Sequence, residues 1–406
     1  MNERSTGAWD FEFADRYVNR EQARHRYGPL ADEYARYQLR GDPLADALVE
    51  AFAARGPSER ARFEEWLETD RVPEGSSEAL AAFAESLRTP PSWADFQRMK
   101  LGARTYQRVG PSGMLILSAW SLINGYHSAP AVKPLTFTGR LDYGAYRRLA
   151  ETGRFVAEVA QIDGMRRFGE GFKTTVRVRV LHAQVRRMLQ LSPTWDTKAW
   201  GTPINQADMA ATVIEFSLLL LAGAREMGFH FEPEESEAVV HLWRYVGLVS
   251  GVDPKLLEEF ETEERGARFA RLVHLIQPGP DQDSLDLAHA LRRVPGEAAM
   301  RLGRGGRLDL LRARFLERYH DGLAWAFNGE AICSNLEIPH ASWRAAIYPT
   351  RAIVGALEGV RRALPFGTEL MAKLGNAAIR KRVREMLEGQ EPDFEAKREK
   401  REGRAA

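Results

Sequence analysis

Residues 177–189, RVRVLHAQVRRML, set one histidine between arginines on a segment whose apolar residues recur at helical spacing. On a wheel turning roughly 100° per residue with His182 at zero, Arg179 falls at about 60° and Arg186 at about 40°. Val178, Val185 and Leu189 lie on the other side, between about −20° and −60°. His182 therefore marks the seam between an apolar stripe and a two-arginine flank, while Arg177 and Arg187 point nearly opposite. Such a seam suits a haem: a neutral imidazole ligates iron, an apolar wall holds the porphyrin, and guanidinium groups one turn away can reach its propionates. It equally suits a core-edge histidine bonded to a backbone carbonyl, with the arginines in ordinary ion pairs.

A second polar group lies in GAYRRLAETGRFVAEVAQ, residues 144–161. Arg148, Glu151 and Thr152 share a face at i, i+3 and i+4, and Phe155 and Val159 continue it. Polar residues heading an apolar stripe suggest a buried polar cluster. The competing reading is an exposed Arg148–Glu151 ion pair worth under about 1 kcal/mol.

Other candidate chemistry is thinner. Glu317 with His320 and Glu337 with His340 form the E-x-x-H pairs of a di-iron bundle, but Pro339 interrupts the second, so capping or surface roles compete. GEGFKTT at 169–175 hints at a phosphate loop, yet Phe172 separates the glycine from Lys173. LGRGGR at 302–307 lacks dinucleotide spacing and reads as a basic turn. His241, beside Trp243 and Arg244, could approach a pocket or serve structure alone. Asn205 and Asp208 form a helix N-cap pair. The single cysteine, Cys333, rules out an intrachain disulfide and reads as a small buried hydrophobe.

The elements that must position these residues are helical. Asp42 and Pro43 in GDPLADALVEAF supply an N-cap and a first-turn proline, with Leu44, Leu48, Val49 and Phe52 at helical spacing. Segments 58–67 and 78–87 repeat that logic up to Pro90 and Pro91. TTVRVRVL at 174–181 alternates like a strand, but its apolar pattern continues through Leu181, Val185, Met188 and Leu189, which predicts a helix. Apolar runs at 114–126 and 209–224 contain Ser118, Ser121, Asn124, Glu215 and Ser217, so they read as core helices rather than membrane spans. EAKREKREGRAA is expected to be a frayed tail.

The 406 residues are 28% charged and 44% apolar, and 57 basic residues nearly cancel 56 acidic ones. A net charge of +1 gives no overall field toward nucleic acid or anionic membrane, so any basic patch must be local. MNERSTGAWDFEF shows no export signal, and a cytoplasmic location is expected.

Taken in order, GDPLADALV (41–49), RRLAETGRFV (147–156), VRVLHAQVRRML (178–189), WGTPINQADMAATVIEFS (200–217) and WRYVGLVSGV (243–252) resemble the latex-clearing protein family. These are haem-containing, all-helical rubber oxygenases grouped with MpaB-type oxygenases, and the resemblance covers about residues 40–350. It implies that His182 is the axial ligand of a b-type haem, with Arg179 and Arg186 as cofactor-binding neighbours. Thr212 faces either the haem or a neighbouring helix, and the resemblance favours the haem. The family's distal motif, Arg-x-x-Lys-Thr, stands here as Arg148-Leu-Ala-Glu151-Thr152. A glutamate replaces the lysine that can occupy the sixth iron position in rubber-cleaving members. The family's distal glutamate also lacks a counterpart; the alignment reaches SAPAVKPLTF, where Lys133 is the ionisable group.

The expected fold is all-α. A globin-like haem core at 93–270 is flanked by an N-terminal helical extension at 1–92 and a C-terminal helical region at 271–390, with a disordered tail at 391–406. The expected activity is haem b-dependent dioxygen chemistry on a small apolar substrate, isoprenoid-like or acyl. In it Arg148, Glu151 and Thr152 are catalytic, while no nucleic acid and no transmembrane segment take part. A haem-binding sensor or carrier without turnover is the alternative, and oligomeric state stays open.

Overall fold

The computed structural model describes residues 12–137 and 141–387; the expected tail at 391–406 lies outside them. Every regular element among the described residues is helical, with no strand. The ambiguous TTVRVRVL lies within one helix, Glu170–Gln190, here called the histidine helix. Its valines favour strands locally, but Phe172, Val176, Val180 and Ala183, within about 80° of one another on the wheel, all enter the core from one continuous stripe. Burial of that stripe outweighs the weak β preference.

Asp42 caps the helix Pro43–Arg55 as expected, its Oδ1 accepting from the Ala45 amide at 3.2 Å. That helix packs against the histidine helix. The histidine helix also meets Leu141–Val159, the arginine helix, and Pro233–Val249. One buried apolar cluster runs from Tyr17 to Ile347, so the N-terminal, central and C-terminal segments share a core. A smaller cluster joins the arginine helix, through Tyr146 and Ala150, to Val294, Ile379 and Val383 of C-terminal helices.

The two apolar runs form buried helices interrupted by π turns, at Leu117–Leu122 and Glu215–Leu219. The turns face each other, and Ser121 Oγ donates to the Glu215 carbonyl at 2.8 Å. A π turn holds one residue more than the α-helix around it and often marks a functional site. Gln206–Glu226, the glutamate helix, is long and apolar enough to cross a membrane, but most of it is packed inside the protein.

Candidate functional site

The histidine, arginine and glutamate helices and Pro233–Val249 wall a cavity of about 1140 Å³. That exceeds the roughly 300–1,000 Å³ of ordinary small-molecule pockets. His182 lines it beside Val178, Leu181 and Val185. Its Nδ1 is buried without a hydrogen-bond partner. The carbonyl-bonded core histidine is therefore not what the helix holds, and an unpaired buried ring nitrogen costs about 1–3 kcal/mol unless a ligand compensates. Burial first, then the Arg186 charge, pushes the imidazole down to about 4, against the opposing pull of Asp42. The ring is thus neutral, the form that ligates a metal.

Arg179 and Arg186 sit one turn to either side but do not line the cavity. Arg179 gives two hydrogen bonds to Asp42, at 2.6 and 2.9 Å. Arg186 donates to Asp46 and to the Ile204 carbonyl, both at 2.7 Å. Two carboxylates one turn apart, at the start of the facing helix, receive these guanidinium groups. Gly251, at φ +87°, lies so close that a Cβ there would stand 2.1 Å from Asp42 Oδ2 and 2.5 Å from Arg179 Nε. The pair thus requires glycine in WRYVGLVSGV.

From the arginine helix, Arg148, Glu151 and Thr152 all reach the cavity wall, as their shared face predicts. The ion pair of Glu151 runs to Arg147, at 2.8 Å, rather than to Arg148. Arg148 keeps a buried Nη1 without a hydrogen-bond partner. Thr212 also lines the cavity, its Oγ1 donating to the Met209 carbonyl at 2.7 Å.

Glu215, on the π turn, is a cavity residue that motif reasoning passes over. The signal was a carboxylate inside an apolar run. Burial, reinforced by the Asp208 charge, pushes its carboxyl up to about 8, so it carries a proton at neutral pH. A Cβ at Gly125 would lie 2.5 Å from its Oε1, so glycine there leaves room for the carboxyl. Beyond it the wall is aromatic. Phe216 stacks on Trp243 with centroids 4.8 Å apart, and Phe155 meets each edge-on at 6.1 Å.

The remaining candidates lie elsewhere. His241 Nε2 accepts from the Asp95 amide at 3.1 Å, and its ring packs on Trp93. Lys133 pairs with Asp281 and Asp283. His320 shares a hydrogen bond with Ser118 at 2.8 Å, while His340 pairs with Asp321. No group of three metal-binding side chains occurs among the described residues, so the E-x-x-H pairs assemble no di-iron ligand set there. Lys173 of GEGFKTT opens the histidine helix and pairs with Glu68 and Glu170. Cys333 is buried, its thiol pushed up to about 12 by desolvation.

Residues 107–359 match the family described as ER-bound oxygenase mpaB/B'/rubber oxygenase, catalytic domain. A rubber oxygenase from Streptomyces sp. (strain K30) is 26% identical over 223 residues, 53% of this chain and 54% of that protein. The chain thus aligns with about half the length of that curated relative. A solved structure of latex clearing protein LCP in the closed state has the same fold, with a TM-score of 0.60 at 22% identity, covering 85% of this chain and 90% of that one.

Proposed function

The chain belongs to the mpaB/rubber oxygenase catalytic-domain family, and from that membership we propose a b-type haem-dependent oxygenase acting with dioxygen on an apolar, isoprenoid-like or acyl, substrate. The observation that carries the reading is His182: a neutral imidazole with an orphaned nitrogen, on the wall of a cavity larger than an ordinary ligand needs. These residues fit a haem: His182 would be its protein ligand, and Val178, Leu181 and Val185, which line the cavity beside it, would help hold it. When bound, the haem supplies the iron-based dioxygen chemistry.

The chain's own groups do the rest. Arg148 and Thr152, on the cavity wall, offer hydrogen-bond donors to whatever it holds. Glu151, held by Arg147, orders water or relays protons at its carboxylate. Glu215 holds a proton on its carboxyl in the same space. Phe155, Phe216 and Trp243 offer apolar surface to the substrate and keep water away from it. Thr212 presents its hydroxyl beside them.

Protein expressed with adequate haem supply tests both parts. A strong Soret band with one haem per chain supports the cofactor, and its absence overturns it. Oxygen uptake with product from a polyisoprene, terpenoid or fatty-acyl panel supports the oxygenase. Stable dioxygen or CO binding without product supports a sensor or carrier instead.

A further inference from the structure

Ile347–Ala363 and Gly367–Leu387 form a helical hairpin with much apolar surface left uncovered among the described residues. On the first helix Ile353, Leu357 and Val360 fall within about 60° of one another, Leu364 follows just past its end, and each of the four is half exposed or more. Leu370 and Leu374, one turn apart on the second helix, are equally bare. Between them, at the tip, Phe366 is 86% exposed. The tip is not slack. Phe366 holds a left-handed backbone at φ +63°, its carbonyl accepting from the Leu370 amide at 3.0 Å, while the Gly367 amide donates to the Leu364 carbonyl at 3.1 Å. A well-held turn that presents an aromatic ring and neighbouring leucines to solvent is the kind of apolar patch that marks an interaction surface.

Charge identifies its partner. Residues 347–387 hold eight lysines and arginines against three acidic residues, in a chain whose whole net charge is +1. Arg361 pairs with Glu358, and Arg351 with Glu226. Arg362, Lys373, Arg380, Lys381 and Arg384 are exposed beside the apolar stripe, Lys373 within 3.5 Å of Glu369 and Lys381 within 3.9 Å of Glu385. Lys381 continues the line of Leu370 and Leu374, within about 20° of them on the wheel. An apolar ridge edged by cations is the pattern of an element lying in a lipid interface, with aromatic and leucine side chains among the headgroups and cations on the phosphates. A second copy would suit it poorly, since two-fold pairing sets the same cations against each other.

We propose that this hairpin docks the protein on the surface of an anionic lipid bilayer, led by Leu364, Phe366 and Leu370. Full-length protein would be sedimented with vesicles of phosphatidylcholine alone, and of phosphatidylcholine with phosphatidylglycerol, at low and high salt. The expected result is binding to the phosphatidylglycerol vesicles that weakens with salt. Phe366→Asp with Leu370→Asp, or Lys381→Glu with Arg384→Glu, would each weaken it roughly tenfold or more. Far-UV spectra matching the parent would show that the substituted proteins fold; the charge pair carries the test if the aspartates impair folding. Absence of binding at low salt, or binding that both pairs leave unchanged, overturns the proposal. So does a concentration-dependent dimer in light scattering that Phe366→Asp dissociates, which would assign the ridge to a second copy.

Discussion

Asp42 grips Arg179 through both carboxylate oxygens, at 2.6 and 2.9 Å, while its Oδ1 also caps the helix Pro43–Arg55. One carboxylate thus begins one helix and fixes another one turn before His182.

Removing that carboxylate should therefore act twice. Asp42→Ala leaves Arg179 buried and unpaired, and breaking such a pair costs about 3–5 kcal/mol. Asp42→Asn retains a capping oxygen and should cost less. Asp46→Ala should also cost less than Asp42→Ala, because Asp46 is more exposed and Arg186 keeps its bond to the Ile204 carbonyl. Urea unfolding orders the three. Equal stability of Asp42→Ala and the parent would show that the fork does not hold the helices together.

His182→Ala should abolish stoichiometric haem binding in a protein that remains helical. The iron bond is lost outright, whereas trimming a ring that makes no hydrogen bond should cost at most a few kcal/mol. Soret absorbance and far-UV circular dichroism read the two effects separately. Haem retained with the parent's spectrum would place the ligand elsewhere.

Glu151→Lys would put an amine on the cavity wall beside Arg147, whose ion pair it removes. Repulsion from that arginine should favour the deprotonated amine. We expect a shift to a six-coordinate low-spin spectrum as pH rises, absent in the parent, and weaker binding of imidazole and azide. Identical spectra and imidazole affinities at every pH would mean that this position does not face the iron.

Glu215→Gln tests the buried carboxyl by its pH dependence. The group's ordinary value is 4.5 and the fold raises it to about 8. Between those values the native protein holds a proton that the unfolded chain releases, so Glu215 makes stability fall as pH rises through the window and level off above it. Glutamine removes that slope. Without haem, the variant should gain on the parent by one to a few kcal/mol, on the order of the 1.4 kcal/mol per unit linkage allows, between pH 5 and pH 8. Urea midpoints that run parallel across that range would show an ordinary solvated carboxylate.

Helical periodicity carried the helices and the shared face of Arg148, Glu151 and Thr152, because a face along one helix is local information, whereas their meeting with His182 came only from the family resemblance. The partners of Arg179 and Arg186 were not legible in the same way. Asp42 and Asp46 lie more than a hundred residues upstream, and nothing in the spacing of arginines says which carboxylate packs opposite. Glu215 was visible as a charge breaking an apolar run, but its role depends on the cavity that the other helices enclose. The stripe Ile353, Leu357 and Val360 reads alike whether a helix faces a core or solvent, so its exposure emerges only from tertiary packing.

The π turn at Glu215–Leu219 has the form of a one-residue insertion absorbed without breaking the helix. Because the wide turn takes up the extra residue, the helix on either side keeps its facing. Deleting one residue here would therefore close the wide turn and withdraw the bulge that carries Glu215 at the cavity wall, while the apolar content of Gln206–Glu226 barely changed. Residue count along this helix, as distinct from residue type, is then a separate control on what the cavity accepts, and single-residue deletions within it offer a route to altered selectivity that substitution alone does not reach.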